Sequence, residues 1–172
     1  MEVMVDLETA STQPDAAILA IGATRFDVDY DCDFYVNVSV ESCTDIGLHV
    51  CPNTMAWWEK QSDAAKESLK DNKQPITHAL KMFRKWVVEQ EHRSSKVSVW
   101  GNGAAFDNVI LRSAFRAADI DCPWPYYNDM CFRTISTLSI PRNQRTKPEI
   151  PHHALYDAKA QAKDLSRVLF KD

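Results

Sequence analysis

Three strand-like apolar runs joined by short connections fill the first 38 residues, and that order restricts the fold more than any other feature. Val3-Met4-Val5 opens the chain and breaks into Asp6-Leu7-Glu8-Thr9. A second run starts at Ala16 and continues through Ala23 to Phe26. The acidic tip at residues 27–31 is a turn signal, and Phe34-Tyr35-Val36-Asn37-Val38 then alternates as a half-buried strand does. Together they predict an antiparallel three-strand meander. After Pro52 the spacing turns helical. Asn53 or Thr54 can cap a short helix through Trp57 and Trp58, with another turn or two to Leu69. Pro75 opens a longer helix whose Ile76, Ala79, Leu80, Phe83, Trp86 and Val87 form one apolar stripe. Residues 97–100 read as a fourth strand, and residues 106–118 as a helix with Val109, Ile110, Ala114 and Ala117 inward. Tyr126-Tyr127 reads as a short strand and residues 134–140 as a short helix. Residues 141–148 form a loop, and a last helix starts near Ala154 with Leu155, Ala158, Ala162, Leu165 and Leu169 buried. A meander followed by alternating helices and strands predicts an α/β fold: a mixed sheet covered by helices on both faces.

Length and charge narrow the class. At 172 residues, 45% hydrophobic and 26% charged, the chain suits a single domain spanning residues 1–172. No stretch approaches a membrane span and the start lacks a basic-then-apolar leader, so no membrane partner and a cytoplasmic location are expected. A formal net charge of −4 argues against coating a polyanion across a whole face, though not against a small basic groove. Cys32, Cys43, Cys51, Cys122 and Cys131 are odd in number and hold no C-x-x-C pair, which reads as reduced thiols.

Four acids stand where a solvated surface would not require them. Asp6 and Glu8 end an apolar strand, and side chains two apart on a strand share a face. Adjacent carboxylates repel unless a cation neutralises them. Asp107 starts the helix after the fourth strand, where an acid also suits the helix dipole; Asp157 lies in the first turns of the last helix. Such a set suits hard divalent ions, and two of them can clamp the attacking and leaving oxygens of a phosphoryl displacement. A base is then needed near the working pH, which histidine provides. His152 and His153 stand beside Asp157.

Asp6-Leu7-Glu8-Thr9, Asn102 to Asp107 (N-G-A-A-F-D) and His152 to Asp157 (H-H-A-L-Y-D) resemble, in order, the three motifs of the DEDD superfamily of exonucleases, histidine subtype. Thr54-Met55-Ala56-Trp57-Trp58 and Arg133-Thr134 further resemble the branch of exonuclease VIII-like and phage exonuclease A-like proteins. Within that branch an acid often stands two residues before the Arg-Thr pair; here it is Cys131, with Asp129 two residues earlier. The resemblance implies a ribonuclease H-like five-stranded sheet, a 3′-to-5′ exonuclease releasing nucleoside 5′-monophosphates, and two Mg²⁺ or Mn²⁺ ions. It implies that Asp6, Glu8 and Asp157 hold the first ion, that Asp6 bridges to the second, and that Asp107 acts through a water ligand. It selects His152 over His153 as general base, and with His153 where the tyrosine subtype has its Tyr, that subtype is disfavoured. Leu7, Thr9, Trp57, Trp58, Asn102 and Phe106 are the expected substrate contacts, with a tryptophan as stacking wall. Arg142, Arg145 and Lys147 flank the histidine loop and could draw phosphates in. The expected partner is a nucleic-acid 3′ end, single-stranded or overhanging; DNA and RNA stay open, and related enzymes often form homodimers. Two competing readings are a catalytically silent end-binding module on the same fold and an endonuclease of the wider ribonuclease H-like group.

Overall fold

In the computed structural model, which describes residues 1–27, 32–91 and 96–170, β1 (Glu2–Thr9) is the central strand of a five-stranded sheet ordered β3-β2-β1-β4-β5. β2 (Ile18–Arg25) and β3 (Asp33–Asn37) continue antiparallel on one side, as the meander predicts. β4 (Ser98–Gly101) and β5 (Asp129–Cys131) add in parallel on the other. Most of the expected acidic tip, residues 28–31, lies outside the described residues. The helices are α1 (Val40–Asp45), α2 (Pro52–Trp58), α3 (Asp63–Ser68), α4 (Ile76–Glu91), α5 (Asp107–Ala117), α6 (Phe132–Ser139) and α7 (Ala154–Leu169). Among the described residues no helix is long and apolar enough to cross a membrane, and all five cysteines are free.

Two cores sandwich the sheet. Val3, Val5 and Leu7 face a large cluster with Leu80 and Phe83 of α4 and Ile110 and Leu111 of α5. Met4 faces a smaller one with Trp100, Phe132, Ala158, Ala162 and Leu165. Strand alternation therefore carries Asp6 and Glu8, which follow Met4 at two-residue steps, onto the α7 side.

Several local expectations need correction. α1 was not foreseen: it buries only Cys43, so it has no apolar stripe, and the hydroxyl of Ser39 caps it by accepting from the Ser42 amide. Neither Asn53 nor Thr54 caps α2. Cys51 holds the cap position without a side-chain bond, and Pro52, which has no N–H to leave unpaired, occupies the first turn. α5 is rotated from the expected phase: Leu111 and Phe115 are buried with Ile110 and Ala114, whereas Val109 is half-buried and Ala117 exposed. The buried face includes Asp107, and the i, i+3, i+4 stripe counted from that acid runs 107, 110, 111, 114. Tyr126 and Tyr127 are exposed in a 3-10 turn, and the edge strand starts only at Asp129. In α7, Leu155 is half-buried and Leu169 exposed.

Gly22 sets how closely α7 approaches. It pairs with Asp6 across the ladder, and a Cβ there would stand 2.2 Å from the backbone of Ala154 and of Leu155. Backbone cannot yield as a flexible side chain does. Gly22→Ala is expected to destabilise the fold by about 1–3 kcal/mol, as overpacking does, and to displace Asp157 from Asp6 and Glu8. A lowered denaturation midpoint together with weakened Mn²⁺ binding is the expected pair of readings; a wild-type midpoint would show that α7 is not held at backbone contact.

Candidate active site

Asp6 and Glu8 on one face of β1 meet Asp157 from the first turn of α7, each offering one carboxylate oxygen within 4.8 Å of the others. One helical turn after Asp157, Gln161 donates from Nε2 to Asp6 Oδ1 at 2.8 Å, and its buried Oε1 has no partner among the described residues. Asp107 completes the group from the first residue of α5. Its Oδ1 accepts from the Leu7 amide at 3.2 Å, while the buried Oδ2 has no hydrogen-bond partner among the described residues. Gly101 permits this docking, since a Cβ there would stand 2.4 Å from Asn108 Oδ1 and 3.0 Å from Asp107 Cβ.

The electrostatics follow from burial. Burial, reinforced by the charges of Asp157 and Asp107, pushes the Glu8 carboxyl up to about 8. Burial raises Asp107 to about 7 against the hydrogen bond from the Leu7 amide and the charge of Arg133. Asp6 lies well above the ordinary carboxylate range, through burial and then through Asp107, Glu8 and Asp157; burial also raises Asp157. Four acids that cannot share their charge in a dry corner call for a cation. The donors are all hard oxygens with no thiolate among them, which fits Mg²⁺ or Mn²⁺ better than zinc.

The two histidines are in different environments. His152 holds a left-handed backbone (φ 63°), donates its amide to Asp157 Oδ2 at 2.8 Å, and sets its ring edge-on to Trp57 at 5.0 Å. Backbone strain of this kind gathers at functional sites. His153 is the N-cap of α7: its carbonyl accepts from the Asp157 amide at 3.0 Å, but its backbone is extended, not helical. Its ring stacks on Tyr35 at 4.4 Å and leans on Tyr156 at 4.5 Å, and burial lowers its pKa.

Beside the carboxylates opens a cleft of about 540 Å³ lined by Leu7, Glu8, Thr9, Trp57, Trp58 and Phe106. Consecutive residues 7–9 all line it at the end of β1, where the β1–β2 register shifts between Glu8 and Thr9. The tryptophans divide their work. Trp58 is only 6% exposed and donates from Nε1 to the Thr9 carbonyl at 2.9 Å, fixing the strand end; Trp57 is 43% exposed. Asn102 does not line this cleft. Thr12, Cys51, Asn53 and Thr54 do, and were not anticipated. Asn53 and Thr54 stand four and three residues before Trp57, so helical spacing could have found them; nothing in the sequence marks Thr12. Gln161 was also missed, although it lies four residues after Asp157 on the same helix face. The acid displaced to Asp129 is structural: it accepts from Arg112 Nε at 2.7 Å, Trp124 Nε1 at 2.7 Å and Asn108 Nδ2 at 3.1 Å.

Residues 1–169 match the model of the 3'-5' exoribonuclease Rv2179c-like domain. The chain belongs to this family. As an Rv2179c-like domain it is a 3′-to-5′ exonuclease, a nuclease whose family implies dependence on a divalent metal. Its fold is similar to that of cell-death related nuclease 4 (CRN-4), with TM-score 0.60 and 13% identity over 98% of this chain and 63% of that one. It is equally similar to the nuclease domain of 3'hExo, a DEDDh family member bound to rAMP, with TM-score 0.61 and 15% identity over 98% and 91% of the two chains. The ribonuclease H-like architecture expected from the motifs is thus the architecture of this Rv2179c-like domain. No curated protein sequence matches it.

Proposed function

We propose that this domain removes nucleoside 5′-monophosphates one at a time from the 3′ end of single-stranded RNA, acting as one catalytic unit across its length. The observation that carries the reading is the meeting of Asp6, Glu8 and Asp157 beside a cleft of about 540 Å³ with an exposed tryptophan on its wall. The family's description as exoribonucleases favours RNA over DNA.

Asp6, Glu8 and Asp157 would hold the first of two Mg²⁺ or Mn²⁺ ions, Asp6 would also serve the second, and Asp107 would assist through a water ligand. The ions supply positive charge to the attacking and leaving oxygens of the displacement. Gln161 holds the Asp6 carboxylate in place, and the Leu7 amide does the same for Asp107. Trp57 stacks on the terminal base, a contact worth about 1–3 kcal/mol and indifferent to sequence. Leu7 and Phe106 bound the cleft, and Trp58 keeps Thr9 in its wall through the carbonyl bond. His152 takes the proton of the attacking water as its oxygen bonds to phosphorus. The bond from phosphorus to the upstream 3′-oxygen breaks, that oxygen is protonated, and the phosphate leaves on the 5′ side of the terminal nucleoside.

Digestion of matched 5′-labelled RNA and DNA strands tests this directly. Single-nucleotide ladders from the 3′ end, faster on RNA, requiring Mg²⁺ or Mn²⁺ and abolished by EDTA, are expected. Cuts within a circular strand, or undiminished activity in EDTA, would remove the proposal.

A further inference from the structure

A second cavity, of about 660 Å³, opens on the other side of the loop at residues 102–106, and three arginines line it: Arg133, Arg142 and Arg145. None of the three forms an ion pair among the described residues. Arg133, in the first turn of α6, donates from Nη2 to the Asn102 carbonyl at 2.6 Å. Arg142 and Arg145 bracket the 3-10 turn that follows Pro141, and residues three apart in such a turn lie on one side. The buried Nε of Arg145 has no hydrogen-bond partner among the described residues. Lys147, grouped with these arginines by sequence, does not line the cavity.

The turn that carries Arg142 and Arg145 is tied to α7. The Asp164 carboxylate, 2% exposed, accepts from the Thr146 amide at 3.0 Å, from the Thr146 hydroxyl at 2.6 Å, and from Arg167. The turn beside Thr146 is thereby fixed to the helix that also carries Asp157. Arg133 already acts on the Asp107 carboxyl, whereas Arg142 and Arg145 have no ion-pair partner among the described residues; guanidiniums lining one cavity repel, and an anion of matching geometry relieves the repulsion. The planar guanidinium fork suits phosphate. Leu138, 79% exposed on the same wall, offers apolar surface between the charged groups.

The position relative to the carboxylates decides which anion. Phe106 lines the first cleft and Asn102 the arginine cavity, so a five-residue loop divides them, and Asp107 follows at its end. The two cavities are thus linked through one short loop that ends at the carboxylate of Asp107.

We propose that the arginine cavity is a second nucleic-acid site, holding backbone phosphates upstream of the scissile bond, so that affinity rises with strand length. The inference rests on the exonuclease reading of the carboxylate cluster. The test is the paired variant Arg142→Ala with Arg145→Ala, measured on substrates of two sizes. A phosphorothioate RNA of roughly ten nucleotides, followed by fluorescence anisotropy in Ca²⁺, should bind about 10–100-fold more weakly. The slope of log affinity against log salt should fall by roughly 1.4, the single-strand value for two lost phosphate contacts. The KM for the corresponding cleavable RNA should rise in parallel with kcat retained, while hydrolysis of the nitrophenyl ester of thymidine 5′-monophosphate changes less than about twofold. Equal losses on the long strand and the ester would overturn the proposal, as would no loss on the long strand. Tight binding of inorganic phosphate with no dependence on strand length would make this a small-anion site and overturn it as well. If the wild-type domain cleaves neither substrate yet binds RNA through these arginines, the cleavage reading falls and the second site stands.

Discussion

Replacing Asp6 by Asn is expected to abolish measurable hydrolysis while leaving the fold intact. The residue contributes to both proposed ions, and losing several kcal/mol of charge stabilisation in the transition state corresponds to about 10³-fold or more in kcat. The metal-free variant should also be the more stable protein, and the pH dependence should say why. Glu8 is held at about 8 and Asp107 at about 7, so the folded chain keeps protons that the unfolded chain has already lost. A raised carboxylate pKa gives stability that is present below the unfolded value and is lost as pH rises through the folded one. In EDTA the wild-type melting temperature should therefore fall from pH 5 towards pH 8, and Mn²⁺ should restore most of it at the upper end. Asp6→Asn should lessen that decline by the share of its own raised carboxyl, leave the part due to Glu8 and Asp107, and lose the Mn²⁺ effect. Calorimetric scans with and without the metal read both; a wild-type melting temperature that rises over this range would mean the carboxylates are not crowded as described.

His152→Ala is the second large effect: a loss of about 10²–10⁴ in kcat, the usual contribution of a positioned general base. The Asp157 contact comes from the backbone amide, which alanine retains, so Mn²⁺ affinity should hold while turnover collapses. His153→Ala should do the reverse, lowering stability through loss of its packing between Tyr35 and Tyr156 and sparing kcat. A greater fall in turnover at 153 than at 152 would exchange their roles.

The parts of this molecule readable in advance are those written in local patterns. The two-residue step from Asp6 to Glu8 and the stripe along α4 follow from backbone period alone. The order of the three motifs, set by resemblance, anticipated which distant acids would meet. What escaped has no local cause. The phase of α5 is set by Asp107 reaching the Leu7 amide, a hundred positions away in sequence. Tyr126 and Tyr127 look like a strand because aromatics favour strands, yet Pro125 leads them into a 3-10 turn at the surface. The motif resemblance groups Asn102 with Phe106, whereas the loop between them places the two in different cavities. Gln161 shows the limit from the other side: its spacing from Asp157 was visible, but only the strand beneath α7 shows that an amide there meets a carboxylate.

The close seating of α7 against Gly22 bears on when such a molecule first becomes hazardous. Two of the three converging carboxylates belong to the opening strand, and the third arrives only when a helix 150 positions later lands on the sheet. Without that docking the opening strand has only two of the three carboxylates, so a chain in which α7 is not seated has no complete charge trap.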